Sequence, residues 1–254
     1  MHSSSLQDTA GAANLSPSDG KERTRLSVVS PTYNEVDNVE RLVRELSRVL
    51  QGIPYEILIV DDNSPDLTWQ RAEELARVDP RVRVLRRMQN PGLGKSVIDG
   101  FSAAQGDAVA CIDSDLQHDP SVLPEMLRQL EQGADLVCGC RYMPGGGTSD
   151  WDWLRRVESL LATKVAQWVL RVRLRDPMSG YFVLRRQDFL RIRGSLNGEG
   201  FKILLEIVAR LKPATVGEVP YTFRARTAGQ SKLTGKVVVA FLRQLWRLSR
   251  AGFH

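Results

Sequence analysis

Long apolar runs are missing from this 254-residue chain: no stretch approaches the roughly 20 consecutive apolar residues that a membrane-spanning helix needs. The N-terminus also lacks the basic region and apolar core of a secretory signal peptide. Histidine is scarce, and of His2, His118 and His254 only His118 is internal, which excludes a Ser-His-Asp triad and a histidine-rich metal centre. Cysteine is equally rare. Cys111, Cys138 and Cys140 all fall within apolar runs, and an odd number without framework spacing excludes a disulfide scaffold and points to a reducing compartment. With no Cys or His cluster around them, Cys138 and Cys140 read as small buried hydrophobes rather than a metal pair. No G-x-G-x-x-G follows the first strand, so a dinucleotide site is disfavoured. The segment Asn90-Pro91-Gly92-Leu93-Gly94-Lys95-Ser96 lacks the glycine spacing of a phosphate-binding P-loop and reads as a turn feeding a helix.

What is present is the composition of a soluble globular chain, 42% hydrophobic and 26% charged. A net charge of +5 favours anionic partners, which include nucleotide phosphates, nucleic acid and anionic membrane surfaces. The cations are spread along the chain and form no nucleic-acid-binding motif, so nucleic acid is not the expected partner. Residues 1–22, rich in Ser, Ala, Gly and Asp, read as a disordered tail.

From residue 23 onward, strands and helices alternate. Residues 25–31 form a short strand, and Val39, Leu42, Val43, Leu46, Val49 and Leu50 follow at helical spacing. Residues 56–62 are a near-continuous apolar strand ending in Asp61 and Asp62, after which Asp66 is positioned to cap a helix running to about Val78. Residues 81–87, a helix to about Ala104, a strand at 108–112, a helix from about Pro120 to Glu131 and a strand within 134–142 complete the series. Such alternation implies parallel pairing and right-handed crossovers, hence an open, mostly parallel, Rossmann-like α/β sheet with helices on both faces. Beyond it the spacing predicts an apolar helical stripe at 153–171, a strand within 175–186, a helix around 201–211 and a strand at 216–220. A polar loop at 224–232 closes the catalytic domain at about residue 235. Residues 236–254 form a basic amphipathic helix with Arg243, Arg247 and Arg250 on one face and Leu245, Trp246 and Leu248 among the rest. A helix of this kind suits a membrane interface; the alternative is that it packs on the domain or on a partner.

The stretch Ala108–Pro120 carries the most chemistry. An apolar strand runs into Asp113 and Asp115, one residue apart, and on an extended strand residues i and i+2 share a face. With 17 aspartates, about one Asp-x-Asp is expected by chance. A second, Asp150-Trp151-Asp152, reads as a loop pair. What distinguishes the first is that Pro31, Asp62 and Asp113 end three strands at one sheet edge, where open α/β sheets bind ligands. Hard oxygen donors there suit a divalent cation carrying a diphosphate. An acceptor that is itself an anion needs no general base, only cations to hold it.

Taken in order, SVVSPTYNE, IVDDNSPD, NPGLGK, IDSDLQHDP, CRYMPGG, RDPMSGYF, the Gly200-Phe201-Lys202 step and RTAGQSK resemble family 2 glycosyltransferases of GT-A fold, over about residues 25–235. The likeness is closest to the dolichol-phosphate or polyprenol-phosphate mannose synthases. This resemblance implies inverting transfer of mannose from GDP-mannose to a polyprenyl monophosphate, with Mg²⁺ or Mn²⁺ as cofactor. It implies that Pro31, Tyr33, Glu35, Val60 and Asp62 hold the base and ribose, and that Asp113, Ser114 and Asp115 meet the sugar and diphosphate. Asp115 and Gln117 become metal ligands, and Arg226 and Lys232 bind donor phosphate. Arg141 and Arg155 meet the acceptor phosphate, so that Asp113, Asp115 and Arg141 form the catalytic set. His118 matches a polar position of the signature and is either functional or structural. The alternatives are a UDP-glucose or UDP-GlcNAc donor, a different acceptor, or a non-catalytic membrane- or partner-binding module. The lipid acceptor implies a peripheral location at the cytosolic face of a membrane.

Overall fold

The computed structural model describes residues 24–149, 161–168, 174–200, 202–224 and 243–248. Its centre is a seven-stranded sheet in which Leu26–Thr32 (β1), Tyr55–Asp61 (β2), Val82–Arg86 (β3) and Ala108–Cys111 (β4) run parallel, in spatial order β3-β2-β1-β4. The sheet continues through Phe182–Arg185 (β7), Leu136–Cys140 (β5) and Val216–Pro220 (β8). Only β7 is antiparallel to its neighbours; β5 and β8 pair in parallel.

The strands are apolar on both faces because helices cover both. In β1 and β2, Leu26, Val28, Ile57 and Ile59 enter one core, packed by Val36–Val49 (α1), Thr68–Val78 (α2) and Leu123–Glu131 (α4). Their alternates Val29, Leu58 and Val60 enter a second core, packed by Leu93–Ala103 (α3), Arg186–Ile192 (α6) and Ile203–Leu211 (α7). This period-two alternation with no polar face is the signature of a doubly covered parallel sheet. A turn of 3₁₀ helix, Pro120–Val122, leads into α4, with Asp119 accepting a bond from Ser121 N at 3.0 Å. The N-cap of α2 is Leu67, in the left-handed region at φ 66°, and not Asp66; from one residue further out Asp66 ties two helix starts together, Oδ1 accepting from Thr68 N at 3.0 Å and Oδ2 from Val36 N, the first residue of α1, at 3.1 Å.

Several elements depart from the sequence expectation. The helix α6 and a two-stranded parallel ribbon of Gly147–Thr148 (β6) and Thr222–Phe223 (β9) were not foreseen. In the helical residues 161–168 (α5), Thr163 and Ala166 are buried, whereas Leu161 and Trp168 of the anticipated apolar stripe are 65% and 82% exposed. Residues 243–248 (α8) are helical as expected, but their apolar face is not available to lipid: Leu245 and Leu248 pack with Ala166 of α5 and Leu205 of α7. Arg247 pairs with Glu199, and only Trp246 of the apolar residues is turned outward. Among the described residues no helix is long and apolar enough to cross a membrane.

Candidate active site

The chain leaves β1 for β2 and β3 on one side and returns to β4 on the other, so the carboxyl ends of β1 and β4 flank a topological switch point. Two aspartates at the end of β2 build the loops on one side of it. Asp61 is fully buried and accepts from Thr32 Oγ1 at 2.9 Å, Ser64 N at 2.8 Å and Ser64 Oγ at 2.6 Å, which closes the turn after β2 against the end of β1. Ser64 Oγ in turn accepts from Asn34 N at 3.0 Å, tying in the loop that carries Tyr33 and Glu35. Asp62 reaches the other way. Its carboxylate accepts from Gly92 N at 2.7 Å and Ser96 Oγ at 2.9 Å and pairs with Arg87, a buried guanidinium that also holds Asp99 and the Asn90 carbonyl. Asp62 therefore organises the glycine-rich turn into α3 rather than presenting an open carboxylate.

Of the other residues assigned to a donor, Pro31 is partly buried at the end of β1 and Tyr33 is largely exposed on the loop that follows. Glu35 Oε2 accepts from Asn38 Nδ2 at 2.7 Å. Val60 has no exposed surface and its side chain belongs to the core, so a direct side-chain contact with a ligand is ruled out in this structure.

On the far side of the switch point, β4 ends at Cys111, and Asp113 and Asp115 stand on the turn beyond it, not on the strand. The strand-alternation argument therefore does not account for their placement. The turn does, through Leu116 in the left-handed region at φ 61°. Asp113 is 32% exposed at its side chain, while Asp115 is buried, with Oδ1 accepting from Gln117 N at 3.2 Å. Ser114 Oγ lies 3.4 Å from the Pro31 carbonyl and closes the turn onto β1. Gln117 is clamped by Arg224 in both directions: Gln117 Nε2 donates to the Arg224 carbonyl at 2.9 Å, and Arg224 N donates to the Gln117 carbonyl at 2.9 Å. That leaves the amide oxygen of Gln117 as the atom suited to a cation. Among the described residues no cluster of three or more His, Cys, Asp or Glu has metal-binding geometry. The Asp115 carboxylate and the Gln117 amide oxygen are nevertheless hard oxygen donors of the kind a divalent ion would take.

His118 is structural. It is 2% exposed, stacks on Tyr181 at 5.1 Å between ring centroids, and meets Tyr221 and Phe223 edge-on. Its Nδ1 accepts from Asp113 N at 3.2 Å, so the neutral ring carries its proton on Nε2. Burial, only partly opposed by the Asp115 charge, holds its pKa down to about 4.

Arg141, at the end of β5, is nearly buried and bound to Asp176 through two parallel bonds, Nε to Oδ2 at 2.7 Å and an Nη nitrogen to Oδ1 at 2.8 Å. Desolvation works against its charge, but the Asp176 hydrogen bonds and charge outweigh that and hold the guanidinium above its ordinary range. Asp176 itself was not singled out from the sequence; the only signal was its place in RDPMSGYF, 35 residues from its partner. Arg155, Arg226, Lys232, Phe201 and the Asp150–Asp152 pair lie outside the described residues.

The sequence matches the glycosyl transferase family 2 model over residues 27–193. The chain belongs to glycosyl transferase family 2. It is 42% identical over 228 residues to a dolichol-phosphate mannosyltransferase of Pyrococcus furiosus, covering 89% of this chain and 64% of that protein's length. It is 37% identical to the dolichol-phosphate mannosyltransferase of Saccharomyces cerevisiae, covering 87% of this chain and 86% of that one. To the polyprenol monophosphomannose synthase of Mycolicibacterium smegmatis it is 36% identical, with 86% and 84% covered. Among solved structures, glucosyl-3-phosphoglycerate synthase of Mycobacterium tuberculosis superposes with a TM-score of 0.65 at 23% identity, covering 90% of this chain and 79% of that one. The family 2 chain thus has the GT-A-like α/β architecture that its strand order displays.

Proposed function

We propose that this family 2 enzyme transfers mannose from GDP-mannose to a polyprenyl monophosphate of dolichyl type, inverting at the sugar in a single displacement. The observation that carries the reading is the placing, at one sheet edge, of an acidic turn and a buried guanidinium: Asp113, Asp115 and Gln117 follow β4, and Arg141 follows β5. Relatives named for mannosyl transfer to dolichol phosphate or polyprenol phosphate supply the substrate class. Pro31, Tyr33, Glu35 and the loops ordered by Asp61 and Asp62 take the nucleoside. Asp115 and the Gln117 amide oxygen hold a Mg²⁺ or Mn²⁺ ion, whose chemistry is to neutralise charge developing on the departing diphosphate. Asp113 orients the sugar beside it.

Arg141 holds the acceptor phosphate. That phosphate is already an anion, so its oxygen attacks the anomeric carbon without a general base while the bond to the donor's diphosphate breaks. Asp176 fixes the plane of the Arg141 guanidinium, which gives the phosphate a preorganised cation rather than a mobile one. Arg155 joins Arg141 at the acceptor, and Arg226 and Lys232 join the donor phosphates. The lipid is reached from a membrane surface on which Leu161, Trp168 and Trp246 rest, at the cytosolic face where free thiols such as Cys111 persist.

Incubation of purified protein with radiolabelled GDP-mannose, Mn²⁺ and polyprenyl phosphate vesicles should give a labelled glycolipid. Label transfer only from UDP-sugars would overturn the donor assignment, and no transfer from any nucleotide sugar would favour a binding module.

A further inference from the structure

Lys202 and Gly180 have no place in that scheme, yet they converge on one of its carboxylates. The segment 176–181 leads into β7. Because β7 runs against its neighbours, this segment lies at the carboxyl edge of the parallel strands, beside Asp113. It has no regular structure but is tied along its length. Asp176 is held by Arg141, Ser179 N donates to the Asp176 carbonyl at 3.1 Å, Tyr181 N donates to Ser179 Oγ at 3.2 Å, and the Tyr181 hydroxyl donates to the Asp119 carbonyl at 2.9 Å. Lys202, at the N-terminal end of α7, supplies the tie in the middle: its Nζ donates to the Met178 carbonyl at 2.9 Å.

Gly180 makes the contact with Asp113. A methyl group there would lie 3.1 Å from Asp113 Oδ2 and 3.4 Å from both Oδ1 and His118 Cε1. Gly180 is not among the residues with positive φ, so it is space and not backbone conformation that favours glycine, and a larger residue would push the Asp113 carboxylate by a few tenths of an ångström. The carboxylate rests on the bare backbone of the turn. A partly buried ammonium is a costly way to hold one carbonyl. Burial and the Arg141 charge both act against it, while Asp113 and Asp176 draw the charged form back.

We infer that Lys202 is a positioning residue for Asp113: by clamping the Met178 carbonyl it fixes the turn on whose Gly180 the Asp113 carboxylate is seated. This rests on the functional reading above, since what is positioned is the carboxylate assigned to the donor sugar. Lys202→Met and Gly180→Ala disturb the seat from opposite ends, one by removing the clamp and the other by pushing on the carboxylate.

The test compares full-length wild type, Lys202→Met, Lys202→Arg, Gly180→Ala and the Lys202→Met/Gly180→Ala double variant. Two assays are run: steady-state mannosyl transfer, and Mn²⁺ binding in the presence of GDP followed by electron paramagnetic resonance. In each single variant kcat should fall about 10- to 100-fold, as expected when a reacting geometry slips by an ångström or less. KM for GDP-mannose and the affinity for Mn²⁺ with GDP should stay within about threefold, because Asp115 and Gln117 are untouched. Lys202→Arg, which keeps a cationic donor, should lose less than Lys202→Met. The double variant should be no slower than the slower single variant within about twofold, because both act through one carboxylate. Singles that keep kcat within about twofold of wild type while only melting earlier, or losses that multiply in the double variant, would overturn the inference. A wild type that neither binds Mn²⁺ with GDP nor transfers mannose would overturn the functional reading and this inference with it. Active wild type with unimpaired variants overturns this inference alone.

Discussion

His118 shows how a residue in a functional signature can be structural. Its ring fills the space between Tyr181, Tyr221 and Phe223, and its one described hydrogen bond supports the backbone of Asp113. In the unfolded chain the imidazole takes up a proton near its ordinary pKa of 6.5, whereas in the fold burial delays this to about 4. Between those values the unfolded state binds more protons, so stability is complete above pH 6.5 and declines as the pH drops through the window, by at most about 3 kcal/mol. Urea midpoints of metal-free protein should accordingly fall between pH 6.5 and 4, and the fall should be shallower in His118→Gln; parallel curves for the two proteins would refute the assignment. Asp115 is the opposite case, a buried carboxylate to which we assign the metal. Asp115→Asn should weaken Mn²⁺ binding measured with GDP and lower kcat by about 100-fold or more, equivalent to several kcal/mol of lost charge stabilisation. Turnover surviving that change would exclude a metal held at Asp115.

The parallel half of the sheet was legible because β1, β2 and β4 are apolar on both faces and end in turn residues, and that pattern has few other physical solutions. The short elements were not. In α6 only Phe189 is buried amid charged neighbours, and β6 and β9 have two residues each, too few for any period to register. The edge holding Pro31, Asp62 and Asp113 was readable from strand order, but the turn that carries Asp113 and Asp115, and the pairing of Arg141 with Asp176, are tertiary facts with no local signature. The same holds for the contact between α3 and the segment before α7. Glu206, fully buried, accepts from Asn197 N at 2.8 Å and Gly198 N at 3.2 Å, presenting the Gly198 backbone to the start of α3. A methyl group on Gly94 would lie 2.6 Å from the Gly198 carbonyl oxygen, backbone that cannot rotate aside. Gly94→Ala should cost about 1–3 kcal/mol in urea denaturation. It should also raise KM for GDP-mannose, because the displaced turn is the one that Asp62 organises; an unchanged KM would separate this loop from the donor site.

At the scale of the whole molecule, residues 243–248 do not act as a free amphipathic helix. Leu245 and Leu248 join α8 to α5 and α7 in one small core, and the consequence is that each of the two outer helices turns a tryptophan to solvent, Trp168 at 82% and Trp246 at 59% exposure. Leaving such rings in water forgoes the free energy of burying them, and their exposure on adjoining helices suits the headgroup region, where an aromatic ring has an apolar body and a polar edge to satisfy. The net charge of +5 adds attraction to anionic lipid that salt should screen. Co-sedimentation with phosphatidylglycerol vesicles should therefore fall as ionic strength rises. In the Trp168→Ala/Trp246→Ala variant it should drop about 50-fold or more, the loss expected from roughly 100 Å² less buried apolar surface. Transfer to a short-chain, water-soluble polyprenyl phosphate should be unaffected in that variant, because neither tryptophan belongs to the site around Asp113 and Arg141. Vesicle binding equal to wild type would place the membrane contact elsewhere on the chain, and a parallel loss of transfer to the soluble acceptor would mean that α5 and α8 support the active site instead of the lipid surface.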